Sequence, residues 1–135
     1  MTSSTTTSYY IRDGLGSSAN LTSSSGATQW TWSYEPFGSL RTETKASGNQ
    51  PANFLKFTGE YADPTGLYHL RARQYDPVAG RFLTRDPADQ TVNDGLISAY
   101  AYVANRPTVM VDPSGETFRP SGMGQTRTRS TAPKN

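Results

Sequence analysis

The sequence predicts a mainly β chain of consecutive antiparallel hairpins, with one short helix near residues 96–104 and disordered ends. The clearest support is the run 66–87, where Tyr68 and Leu70 alternate with polar neighbours such as His69. Alternation by twos is the period of a half-buried strand, whereas a helix repeats every 3.6 residues. Turn sequences rich in Asp, Pro and Gly flank this run, and such sequences reverse the chain.

The first third of the chain predicts two hairpins. Residues 1–8 are a Ser/Thr run that we expect to be disordered. Short strands are expected at 9–12 and 19–22, on either side of an Asp-Gly turn. Residues 28–34 alternate aromatic and polar side chains, and residues 39–44 can return as the partner strand.

The aromatic stripe of residues 28–34 has two interpretations. Trp30 and Trp32 fall on one face of the predicted strand, and exposed rings in such a row could stack on carbohydrate. A buried sheet face is the commoner use of aromatic residues in a chain with only 33% hydrophobic residues. We favour the buried face.

A weak internal repeat runs through the chain. A tyrosine precedes both Glu35-Pro36 and Asp76-Pro77, and each pair is followed by a glycine, Gly38 or Gly80. A turn unit repeated after alternating strands is typical of a hairpin array in which each unit packs on its neighbour.

The last third changes in character. Leu96, Tyr100 and Val103 share one helical face, which predicts the short helix. A strand should follow at 108–111, and residues 116–135 are expected to form a disordered tail.

Composition excludes several classes of function. The net charge is +2, but residues 116–135 carry +3, so the body lacks a positive field for nucleic acid. The chain has no cysteine and one histidine, so we expect no metal site and no cofactor. No apolar run approaches the roughly 20 residues of a membrane span, and the N-terminus lacks the pattern of a signal peptide.

The run TGLYHLRARQYDPVAGRFLTRDP, residues 65–87, closely resembles the core motif of RHS-repeat (YD-repeat) proteins. The likeness covers roughly residues 8–115, and its further motifs lie at residues 12–17, 34–40, 57–67 and 99–115. The resemblance implies hairpins that spiral into a hollow β-shell, which the core region plugs at its end. It also implies upstream RHS repeats or another RHS-shell protein as the partner, and a secreted or cell-surface location in bacteria. Two or three hairpins cannot close a shell, so exposed strand edges could also self-associate.

The resemblance also implies a catalytic possibility, because toxin-encapsulating members carry an intramolecular aspartyl protease that cuts just beyond the final DPxG motif. Two adjacent carboxylates can share a proton, so that one activates water and the other protonates the substrate. By position Asp86 matches the first aspartate and Arg85 an arginine beside it, and Asp94 is the candidate second carboxylate. Cleavage would fall near Gly115 and Glu116.

A structural interpretation competes with the protease. Asp-Pro-x-Gly is common turn chemistry, because Asp accepts backbone N–H groups and Gly adopts a positive φ. The residues that this interpretation makes turn formers are Asp63, Asp76, Gly80, Asp86, Asp112 and Gly115. Arg71, Arg73 and Arg81 would then pair with neighbouring carboxylates and backbone carbonyls.

Two departures from the family pattern also weaken the protease interpretation. Asp89 stands where the first motif has Gly, and Glu116 stands where the family commonly has Leu. From the sequence, the first interpretation is therefore a non-enzymatic cap segment of an RHS shell, associated with toxin encapsulation or cell-surface interaction. The self-cleaving protease is the alternative, and carbohydrate binding the third.

Overall fold

The computed structural model describes residues 6–87 and 98–122. Over these residues the chain forms short antiparallel strands joined by tight turns, together with two single-turn 3₁₀ segments. The mainly β fold predicted from the sequence is confirmed, and the strands lie in two four-stranded sheets and one two-stranded sheet of the described chain.

The first sheet is a meander of four strands in chain order. Its strands are β1 (Ser8–Arg12), β2 (Ser18–Ser23), β3 (Thr28–Tyr34) and β4 (Leu40–Lys45). Each neighbouring pair is antiparallel and contains one register shift, which is the mark of a β-bulge. β1 and β4 are the edge strands.

The second sheet repeats this meander with shorter strands. It consists of β5 (Tyr61–Ala62), β6 (Tyr68–Leu70), β7 (Arg73–Asp76) and β8 (Arg81–Phe82). The central run therefore folds back on itself at residues 71–72. Arg73 lies directly opposite Leu70 across this turn, so its side chain is on the same buried face as Tyr68 and Leu70.

One aromatic core joins the two meanders. It consists of Phe57, Tyr68, Leu70, Tyr75, Phe82, Tyr102 and Val103. The Phe57 ring lies 5.9 Å from the Tyr34 ring of the first sheet and 5.9 Å from the Tyr68 ring of the second. Phe57 belongs to a 3₁₀ turn, Phe57–Gly59, between the sheets, so this one ring connects them.

The repeated turn after Tyr34 packs tightly under this core. A Cβ atom on Gly38 would lie 2.4 Å from the Phe57 ring, so only glycine fits there. The Tyr68 hydroxyl donates to the Gly38 carbonyl at 3.1 Å, and the Tyr75 hydroxyl donates to the Phe37 carbonyl. Buried tyrosines of the second sheet thus satisfy their hydroxyls on the turn of the first.

The helix expected near residues 96–104 is wrong over its described part, which begins at residue 98. Tyr100 accepts the Phe82 N–H at 2.9 Å, and Ala101 forms a β-bridge to Arg81. A single 3₁₀ turn follows at Val103–Asn105, where all three residues have positive φ. A right-handed helix cannot form there, because the backbone is left-handed and its neighbours pair with β8.

Residues 116–122, the described part of the tail expected to be disordered, contain a strand. β9 (Met110–Val111) pairs antiparallel with β10 (Arg119–Pro120). The two strands enclose residues 112–118, so the Asp-Pro-Ser-Gly turn sits inside a hairpin loop. In the part of the chain that the structure describes, no helix has the length and hydropathy needed to cross a membrane.

Candidate functional site

A buried arginine brings the two DPxG motifs together. Arg73 begins β7, and its side chain is 3% exposed. Its Nη2 atom lies 3.3 Å from Asp86 Oδ2 and 3.8 Å from Asp112 Oδ2. Its Nε atom donates to the carbonyl of Gly115. We call Arg73, Asp86, Asp112 and Gly115 the Arg73 cluster.

The guanidinium is held by two further contacts. Arg73 Nη1 donates to the carbonyl of Ala99 at 3.1 Å. The group lies 3.6 Å above the centre of the Phe82 ring, an arrangement in which the ring face attracts the cation. The Asp86 N–H also donates to the Ala99 carbonyl, at 3.0 Å, so the same oxygen fixes both members of the Arg73–Asp86 pair.

Asp112 is placed by the turn that it starts. Its Oδ1 atom accepts the Gly115 N–H at 2.8 Å, the Ser114 N–H at 3.2 Å and the Ser114 hydroxyl at 3.1 Å. The residue is 3% exposed. One carboxylate oxygen therefore shapes the turn, while the other faces Arg73.

Any residue larger than glycine at position 115 would force the turn and the β6–β7 hairpin apart. Its φ is +74°, and an added Cβ would lie 2.2 Å from the Leu70 carbonyl oxygen. The absence of a side chain lets the turn approach the β6–β7 hairpin closely enough for Arg73 to reach the Gly115 carbonyl.

Burial governs the electrostatics of the cluster. It raises the pKa of Asp112 above the usual aspartate range, against the opposing effect of the Ser114 and Gly115 hydrogen bonds and of Arg73. It lowers the pKa of Arg73, which Asp86, Asp112 and Glu116 partly restore. An arginine keeps its proton at neutral pH even so. The site therefore combines a fixed cation, two carboxyl groups and a polarised peptide carbonyl.

The structure brings together some of the residues chosen from the sequence. Asp86 and Gly115 both contact Arg73, and the Glu116 N–H donates to Ser114 Oγ at 3.2 Å. Asp94 lies outside the described residues. Arg73 contacts Asp86, and the sequence had not assigned this residue to the site, naming the adjacent Arg85 instead.

The sequence predicted ion-pair and backbone-carbonyl partners for Arg73 and a turn at Asp112, and both are present in the structure. What the sequence did not predict is the burial of the Arg73 side chain between the two motifs. Arg73 is 3% exposed at its side chain. Its burial depends on the two-residue loop at 71–72, where Arg71 adopts a φ of +53°. Nothing in the alternating pattern marks a left-handed arginine, so no local pattern could have located the turn.

The other motif aspartates form turns away from Arg73. Asp63 Oδ1 accepts the N–H groups of Thr65 at 2.9 Å and Leu67 at 3.1 Å. Asp76 Oδ1 accepts the Val78 N–H at 2.9 Å, and the Gly80 N–H donates to the Asp76 carbonyl at 2.9 Å. Similar sequences thus have different environments, and only Asp112 combines the turn with a buried cation among these three.

The tryptophan pair is not an open stacking platform. The Trp30 and Trp32 rings stack on each other with centroids 5.6 Å apart, and Trp32 is 4% exposed. Their indole N–H groups donate to the Pro51 carbonyl at 2.9 Å and to Glu43 Oε2 at 2.7 Å. Both donors are used inside the molecule, which leaves carbohydrate binding without support from the geometry.

No family model matches the chain. Among curated proteins it is 37% identical over 109 residues to the tRNA3(Ser)-specific nuclease WapA of Bacillus spizizenii, covering 79% of this chain and 5% of the relative. It is 36% identical over 112 residues to the double-stranded DNA deaminase toxin A of Burkholderia cenocepacia, covering 79% of this chain and 7% of the relative.

Solved structures contain the same fold. The crystal structure of TcdB2–TccC3–Cdc42 matches with a TM-score of 0.74 and 30% identity, over 82% of this chain and 5% of that chain. These similar proteins are RHS-type polymorphic toxins, so the chain is homologous to a short, toxin-associated segment of that class. It spans only about a twentieth of the length of the first relatives.

Proposed function

We propose that the chain is the C-terminal core segment of an RHS-type toxin and that the Arg73 cluster hydrolyses the chain just beyond the Asp112–Gly115 turn. The observation that carries the proposal is that Arg73 contacts Asp86, Asp112 and the Gly115 carbonyl at the same time. The homology to RHS-type toxins supports it, because the resemblance to that family implies cleavage just beyond the final DPxG motif.

The reaction uses water as its second reactant. Arg73 Nε donates to the Gly115 oxygen and polarises the carbonyl. Asp86 takes a proton from water, whose oxygen bonds to the Gly115 carbonyl carbon. The C–N bond to Glu116 then breaks as Asp112 protonates the departing nitrogen. The products are a carboxylate at Gly115 and a free amine at Glu116.

The roles follow from the surroundings of each group. Burial raises the pKa of Asp112, which favours the protonated form that an acid needs. Asp112 therefore takes the place that the sequence had given to Asp94, and Arg73 the place given to Arg85. The proposal departs from the non-enzymatic interpretation favoured by the sequence, in which Arg73 serves only as a structural partner of carboxylates and backbone carbonyls.

The test is a time course of self-cleavage for matched aspartate variants. Asp86→Asn and Asp112→Asn should abolish cleavage, because each removes a proton-transfer group. Asp63→Asn and Asp76→Asn change aspartates of similar turns that do not contact Arg73 in the described contacts, and should leave the rate within about twofold. Equal rates in all four variants would refute the assignment.

A purely structural cap is the second candidate, favoured by the open edges of the first sheet. All six residues of β4 are exposed, and no strand of the described chain pairs with the outer side of β1 or β4. By contrast, Leu55 bridges to β5 and Ala101 to β8. Open edges favour pairing with further strands, which we propose come from upstream RHS repeats or another RHS-shell protein in a secreted or cell-surface assembly.

Co-expression with upstream repeats tests the structural candidate. Recovery of a stable complex without any cleavage, in the wild type as in Asp86→Asn, would leave the cap as the function. Concentration-dependent association of the chain alone in sedimentation experiments would show that the edges pair with a second copy instead.

A further inference from the structure

The tip of the β6–β7 hairpin meets three consecutive carbonyl groups of the turn before Glu116. Arg71 Nη1 donates to the Pro113 carbonyl. The Ala72 N–H donates to the Ser114 carbonyl at 3.1 Å, and Arg73 Nε donates to the Gly115 carbonyl. Residues 71–73 therefore each donate one hydrogen bond, in order, to the carbonyl groups of residues 113–115.

We propose that Arg71 and Ala72 form a backbone clamp that positions the segment upstream of the cut bond and keeps it bound afterwards. The inference rests on the proposed function for the identity of the cut bond. The clamp acts on peptide carbonyls, so it is indifferent to the side chains of residues 113 and 114. Selectivity is left to Gly115, where a side chain would collide with the Leu70 carbonyl.

The local geometry favours a positioning role for Arg71. Its φ of +53° is unfavourable for a residue with a Cβ atom, and a glycine would form the turn at lower cost. The arginine adds a side chain that reaches Pro113 on one side and lies 3.9 Å from Glu60 Oε1 on the other. Glu60 is 19% exposed at its side chain, so it is a comparatively fixed anchor for a residue that is otherwise exposed.

The clamp has a consequence for the product. After hydrolysis the Gly115 carboxylate would lie beside the Arg73 guanidinium, while Pro113 and Ser114 remain held by Arg71 and Ala72. A charge-assisted pair at Arg73 binds more tightly than the neutral carbonyl did. The new end would therefore stay in the site, and each chain would cut once, with a rate independent of protein concentration.

Hydrogen exchange measured by NMR tests the clamp in the uncleaved Asp86→Asn chain. Arg71→Met keeps an unbranched side chain but removes the donor, so the Ala72 amide should exchange about three- to tenfold faster, as for loss of a partly exposed hydrogen bond. Arg71→Lys should restore part of the protection. Arg41→Met removes the same charge from the exposed pair with Glu35 and should leave the Ala72 amide unchanged.

The outcomes separate the clamp from the protease. The clamp would be overturned if the Ala72 amide exchanged equally fast in the Asp86→Asn chain with and without Arg71→Met. It would also be overturned if Arg41→Met changed that exchange rate by the same amount. A wild-type chain that never cleaves would refute the proposed function, while faster Ala72 exchange in Arg71→Met would still support the clamp. If the wild type cleaves, Arg71→Met should slow cleavage about as much as it speeds exchange, and Arg71→Lys should recover part of the rate.

Discussion

Arg73 Nη2 lies 3.3 Å from Asp86 Oδ2, inside a protein segment with few aliphatic residues. The pair depends on the pairing of β7 with β8 and on the Ala99 carbonyl, which accepts from both residues. A cation that is 3% exposed at its side chain loses most of its hydration. It is tolerated because carboxylates and carbonyls from three parts of the chain replace the water.

We predict that Arg73→Met destabilises the chain by about 3–5 kcal/mol, since removal of one member of a buried pair leaves the other charge uncompensated. Asp86 loses the guanidinium that lies 3.3 Å from its Oδ2 atom, and Asp112 loses the same group at 3.8 Å. Urea unfolding followed by tryptophan fluorescence measures the loss. Arg41→Met, which breaks an exposed pair with Glu35, is the control and should unfold almost as the wild type. Equal stability of the two variants would contradict the buried cluster.

Gly115→Ala should destabilise more than Gly66→Ala. Both positions have positive φ, +74° and +88°, but a Cβ on Gly66 would meet nothing within 4 Å. Gly66→Ala should therefore cost only the backbone penalty of about 1–2 kcal/mol. Gly115→Ala should cost about 1–3 kcal/mol more, because its Cβ would meet the Leu70 carbonyl. The difference between the two unfolding free energies isolates the close approach, and a difference near zero would argue against it.

The raised pKa of Asp112 predicts a particular pH dependence. Between its unfolded and folded pKa values the folded chain binds more protons at this group than the unfolded chain, so ionisation of Asp112 costs stability as pH rises. Lowering the pH from 7 to 5 should therefore favour the wild type relative to Asp112→Asn. Unfolding free energies of both chains at the two pH values measure this. If the wild type instead lost stability relative to Asp112→Asn at pH 5, the hydrogen bonds and Arg73 would affect the pKa of Asp112 more strongly than burial does.

Phe57→Ala should uncouple the two meanders. The Phe57 ring is 3% exposed and contacts rings from both sheets, so truncation should cost about 3–5 kcal/mol. Phe54→Ala is the matched control, because Phe54 is 50% exposed and should cost about 1 kcal/mol or less. Unfolding monitored separately by tryptophan, which reports the first sheet, and by NMR amides of the second would reveal two transitions in Phe57→Ala. A single transition close to that of the wild type would contradict the role of Phe57.

Much of the fold could be predicted, because the sequence of each strand and turn indicates its own local structure. The alternation in residues 28–34 and the turn residues around Asp63 and Asp76 are local properties of the chain. The helix expected near 96–104 was wrong over its described residues. Of the residues that predicted it, Val103 fills the core from a left-handed turn, whereas Tyr100 is 43% exposed.

The candidate site was harder to predict than the strands. The motifs pointed to Asp86 and Gly115 by position, but the choice of Arg85 relied on adjacency in sequence. Proximity in space is decided by the hairpin turn at Arg71 and by the close approach of Gly115 to Leu70. Both features are tertiary, so only the fold identifies Arg73 as the cation shared by the two carboxylates.

The most direct test of the central claim is the intact mass of the wild-type chain after incubation at pH 5 and pH 7, beside Asp112→Asn. Our account predicts a wild-type fragment that ends at Gly115 and a complementary fragment of residues 116–135, with neither formed by the variant. A wild-type mass that stays at full length, or the same fragments from Asp112→Asn, would contradict self-cleavage by the Arg73 cluster.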